Sequence, residues 1–78
     1  MRNIEETKKS MIAYVESDIS IFSEQTDEKE GMAFLNRIRG QLGMMGMSGI
    51  INRNEESILH DKLAKAREKV GKNISNNN

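Results

Sequence analysis

Gly40-Gln41-Leu42-Gly43-Met44-Met45-Gly46-Met47-Ser48-Gly49-Ile50-Ile51 decides the fold, because helical patterns lie on both sides of it. Four of the six glycines fall here, at every third position, interleaved with three of the six methionines. Leu42 and Met45 continue an apolar stripe begun by Phe34, Leu35 and Ile38, and Gly31 and Gly49 share that face if the helix continues. Asn36, Gly40, Gly43 and Met47 fall nearly opposite, so the segment has a bulky side and a flat side. Each interior glycine costs a helix roughly 1 kcal/mol relative to alanine. The pattern predicts helix over 28–45 and a turn around Gly46–Gly49.

Three roles are open to the glycines. They can end the helix by supplying positive φ. Gly40 and Gly43 can instead let another helix, of this chain or of a partner, approach closely. A phosphate clasp is the weakest reading, because it needs a strand before the loop and a lysine within it. The sequence offers neither.

Before this stretch, residues 3–24 read as one long helix. Ile4, Met11, Val15 and Phe22 follow a 7-4-7 spacing, widened by Ile12 and Ile19 on one flank and by Tyr14 and Ile21 on the other. An apolar face this broad predicts two neighbours. Asp27 and Glu30 resemble a capping box at the start of the second helix. After the stretch, residues 54–70 read as the third helix. Leu59, Leu63, Ala66 and Val70 form its stripe, Asn52 or Asn54 caps it, and Gly71 suits the position just past its end. Asp61→Lys65 and Glu68→Lys72 have the spacing of i,i+4 ion pairs. Residues 72–78 have little to bury and are expected to be a disordered tail.

The fold expected is therefore all-α: a three-helix bundle, or a helical hairpin with a third helix folding back, in a single domain over 1–71. At 78 residues one core is marginal, and completion by dimerisation is expected.

Composition narrows the function. There is no cysteine and one histidine, so thiolate zinc sites, disulfides and multi-histidine metal centres are excluded. No apolar run is long enough to span a bilayer and no secretion signal is legible, so no membrane role and a cytoplasmic location are expected. Net charge is zero, which disfavours a dedicated nucleic-acid binder. His60 follows Glu56 at i,i+4, a spacing that could share a metal, but two ligands are too few and a solvent-facing histidine is the simpler reading. No nucleophile–base arrangement can be assembled. Neither an enzyme nor a cofactor is expected.

Asp18 is the anomalous charge, set between Val15 and Phe22 on the apolar face of the first helix. It either sits at an edge and reaches water, or pairs with Arg37, with Arg39 or with a base of a partner, which would fix register more than add stability. Met44 and Met47 lie off the main stripe and are candidates for an exposed apolar patch. The leading expectation is a small regulatory or inhibitory protein that binds another protein through helices. A phage- or plasmid-encoded chain directed at a host enzyme fits its size and its Asn/Ile/Lys-rich composition. Its contact residues would be Arg37, Arg39, Gly40, Gly43, Met44 and Met47, with a homodimer as the expected assembly. The alternative is DNA or RNA binding by the basic third helix, through Arg53, Lys62, Lys65, Arg67 and Lys69. A third is a structural assembly subunit.

Overall fold

The computed structural model describes residues 3–77, with side chains through Asn76. Three helices account for most of these: α1 (Ile4–Ser23), α2 (Glu28–Met47) and α3 (Arg53–Asn77). Each helix packs on the other two. A short turn makes α1 and α2 antiparallel. α3 then runs parallel to α1, as the successive contacts Lys8–Glu55, Glu16–Lys62 and Ser23–Asn73 show. The all-α bundle expected from periodicity is the fold observed.

Local sequence sets each boundary. Asn3 and Asp27 sit in extended conformation and accept from the backbone N–H groups of Glu6 and Glu30, capping α1 and α2. Asn52 and Glu55 form a reciprocal box: Glu55 N–H donates to Asn52 Oδ1 and Asn52 N–H donates to Glu55 Oε1, both at 2.8 Å. Gly49 alone among the described residues has positive φ (76°), and it turns the chain after α2. The turn expected around Gly46–Gly49 is thus made by its last glycine, and α2 runs on to Met47.

The core is built from Val15, Ile19 and Phe22 of α1, Leu35, Ile38, Leu42 and Met45 of α2, and Leu59, Leu63, Ala66 and Val70 of α3, closed at one end by Ile51. Gly31 is buried where α2 crosses Val70. Ile4, expected on the α1 stripe, is 80% exposed. The i,i+4 pairs expected within α3 do not close. Instead Lys62 reaches Glu16, and Lys8 reaches Glu55 at 2.7 Å, so both join α3 to α1.

The end of α3 corrects the sequence reading. Gly71 is helical and does not have the positive φ of a terminating glycine, so the helix passes through it. Residues 72–77 are helical rather than a disordered tail, while Asn78 lies outside the described residues. Asn73 Nδ2 donates to the carbonyls of Ser23 (3.0 Å) and Gln25 (3.2 Å), and Ile74 packs on the core. The carbonyls at the end of α1 lack partners within their own helix, and Asn73 supplies one. Ending the chain after Gly71 is expected to cost about 1–2 kcal/mol. Circular-dichroism melts should show a midpoint lower by roughly 5–10 °C.

The α3 cap also sets a pH dependence. Donation from the Asn52 backbone, then from the Lys8 ammonium, holds the Glu55 carboxyl below the usual carboxylate range. Its folded pKa is therefore lower than its unfolded one. The stabilisation is present above the unfolded value and is lost as pH falls through the folded value. Melting midpoints of wild type and Glu55→Gln should differ near neutrality and converge in acid.

Candidate functional site

The residues along the α1–α2 seam on the side away from α3 decide what this surface can do. Asp18 is the charged side chain that is buried among the described residues, at 7% exposure. Its Oδ2 accepts from Gln41 Nε2 at 3.2 Å and lies 3.5 Å from Arg37 Nε. Arg37 Nη2 donates in turn to the Tyr14 hydroxyl at 2.8 Å, with the guanidinium 6.0 Å from the ring centroid. Of the two arginines considered from sequence, Arg37 is the partner. Asp18 is buried but Arg37 is half exposed, and a pair of this kind adds little net stability. Its consequence is register: a shifted α2 would strand the Asp18 carboxylate.

Beside this network lies a groove of about 670 Å³ between α1 and α2. Met11, Val15 and Met45 line it, with Tyr14, Ser10, Gly40, Gln41 and Met44 around them. Gln41 Oε1 is buried and has no hydrogen-bond partner, an arrangement that costs about 1–3 kcal/mol for a wholly dry acceptor.

Apart from Arg37, which pairs with Asp18 at its polar edge, the surface around the groove carries no charge. From Ser10 to Ile21 the exposed positions of α1 are Ser10, Ala13, Tyr14, Ser17, Ser20 and Ile21. Ser10, Tyr14, Ser17 and Ile21 follow a 4-3-4 spacing and form one stripe. Across the groove, Gly40, Met44 and Met47 follow a 4-3 spacing, and no charged residue occurs between Arg39 and Arg53. Met44 is 73% exposed and Met47 92% exposed. Depletion of charge with retained aromatic and methionine side chains is the composition of interface cores.

Gly40 and Gly43 are the unexplained elements of this face. A Cβ added at either would meet nothing within 4 Å. Close approach of another helix of this chain, one of the roles considered above, is therefore excluded at both. Each leaves α2 without the roughly 1 kcal/mol that alanine would contribute, and no contact within the chain offsets the loss.

Of the predicted contact residues, the structure brings Gly40 and Met44 to the groove and Arg37 to its polar edge. Gly43 and Met47 extend the same uncharged surface. Arg39 is exposed and does not line the groove. Sequence reading missed Tyr14, Met11 and Gln41, whose role follows from the α1–α2 register. The α1 spacing alone placed Tyr14 on the flank of the apolar stripe without showing what it faced.

The basic residues of α3 are gathered only in part: Lys62, Lys65, Lys69 and Lys72 follow a 3-4-3 spacing along one side. Lys62 turns to Glu16 on α1, whereas Arg67 lines a smaller cavity beside α2, formed with Glu28 and Gly31. Arg53 stands at the helix start, and the exposed Lys65 and Lys69 are interspersed with Asp61 and Glu68 in the sequence. His60 Nε2 lies 3.7 Å from Glu56 Oε1, and no group of three potential metal ligands occurs among the described residues. Among the described residues no helix is long and apolar enough to cross a membrane. Comparison with protein-family models, with curated proteins and with solved structures finds no match to this chain.

Proposed function

We propose that this protein is a non-enzymatic, cytoplasmic binding protein of regulatory or inhibitory type, acting by helix-mediated protein–protein contact through the α1–α2 face. The observation that carries this reading is the uncharged surface from Ser10 to Ile21 and from Gly40 to Met47, centred on an unfilled apolar groove. Solvated helical surfaces are normally rich in charge, as α3 is here. A face that lacks charge, exposes two methionines and keeps two glycines where alanine would fit is suited to contact.

The groove provides shape and dispersion contacts with few polar anchors. Such a surface recognises an apolar helix or helical hairpin of a partner. Inhibition of a host enzyme by a phage- or plasmid-encoded protein is one use of such a surface. A second reading, nucleic-acid binding, draws on the exposed Lys65, Lys69 and Lys72 along one side of α3. Overall neutrality and the separation of Lys62 from Arg67 weaken it.

A photo-crosslinking residue placed at Met44 in one chain and at Lys65 in another separates the two. The proposal predicts discrete protein adducts from position 44 in cells. Adducts confined to position 65, or removed by nuclease, would overturn it.

A further inference from the structure

We infer that the α1–α2 face is occupied by a second copy of this chain, in a two-fold arrangement that stacks α1 and α2 of both copies into a central four-helix bundle. This rests on the docking reading above and names its occupant.

The first argument is area. The chain exposes 5643 Å², where a compact monomer of 8.9 kDa would expose about 4,800 Å². The excess is roughly 800 Å², the amount each partner contributes to a standard stable interface. Shape agrees: the molecule measures 48 × 23 × 14 Å with a radius of gyration of 13.6 Å, against about 11.5 Å for a compact domain of this length. Pairing two such flat bodies face to face makes a more compact particle.

The second argument is self-complementarity. A two-fold interface must match its own surface. This face carries projecting side chains, Met44, Met47 and Tyr14, next to open, flat ground at Gly40 and Gly43 and the recess of the groove itself. The projecting methionines of one copy can therefore fill the recess of the other, and the reverse. Charge permits it as well: the chain has no net charge, and Arg37 at the edge of the face is offset by its pairing with Asp18.

α3 lies on the far side and is left free in this arrangement. The basic, charge-dense surface of each copy then points outward, on opposite sides of the particle.

Light scattering over an about hundredfold concentration range tests the inference. The wild-type molar mass should rise from 8.9 kDa toward twice that value and stop there. The doubly substituted Gly40→Leu/Gly43→Leu chain places side chains into open space, so each copy folds, which circular dichroism checks. Its dissociation constant should rise by about thirtyfold or more. Lys65→Glu, on α3, should associate as the wild type does. A wild-type mass fixed at 8.9 kDa throughout overturns the inference, as does undiminished association of the leucine variant or a mass climbing past two copies. Failure here alongside foreign adducts from position 44 would leave the docking face standing with a different occupant. Failure of both would remove the face itself.

Discussion

A Leu63→Asp chain is expected to be unfolded at room temperature. Leu63 is 5% exposed and belongs to the continuous core that α3 shares with α1 and α2. Removing a buried leucine side chain costs about 2–5 kcal/mol. The aspartate then brings a carboxylate into an apolar site with no partner, adding several kcal/mol more. A folded chain of this length has roughly 4–12 kcal/mol to lose. Helical circular dichroism should collapse in Leu63→Asp and persist in Lys65→Asp, two residues away on the exposed side. An unchanged melting midpoint for Leu63→Asp would refute the core assignment.

The opposite sign is expected at the flat side of α2. Gly40→Ala with Gly43→Ala should stabilise the isolated chain by about 1.5–2 kcal/mol, through helix propensity alone. The midpoint should rise by roughly 8–15 °C when measured dilute enough that no association contributes. No clash opposes this, since both Cβ positions open into free space. A fall in stability would mean that the glycines serve the fold of the single chain, and that they are not reserved for contact. Gly46 is a different case. There a Cβ would stand 2.9 Å from Glu56 Oε2, so alanine must displace that flexible carboxylate.

Much of the fold was legible because periodicity reports burial. The stripes Leu35, Ile38, Leu42, Met45 and Leu59, Leu63, Ala66, Val70 are buried as read. The two caps at Asp27 and Asn52 are local signals, three residues from their partners, and both hold. Gly31 and Gly49 also behave as their face and position implied.

What failed depended on long-range register. Gly71 looked like a stop signal, yet Ile74 continues the apolar stripe four residues after Val70. Asn73 finds the end of α1 about fifty positions earlier in the chain, and its bonds to Ser23 and Gln25 exist because α1 and α3 run parallel. The stripe's continuation was visible in the sequence; the hydrogen bonds were not. Asp61–Lys65 and Glu68–Lys72 had the right spacing but do not close, whereas the ion pairs Lys8–Glu55 and Glu16–Lys62 run between α3 and α1.

The site was half legible for the same reason. Gly40, Gly43, Met44 and Met47 stood out because they broke the helical pattern. Asp18 stood out because it broke an apolar face. Their relation did not show: Tyr14, Arg37, Asp18 and Gln41 form one network only in the antiparallel register of α1 and α2. The groove beside that network is a property of two helices together, and no single stripe encodes it.

Backbone amide chemical shifts recorded from dilute to concentrated protein test the central claim, that the α1–α2 face and not α3 is the contact surface. The shifts should move with concentration along 10–21 and 40–47, saturate as dimer forms, and stay fixed along the outer side of α3. Concentration-dependent shifts confined to α3 residues, with 10–21 and 40–47 unmoved, would contradict it.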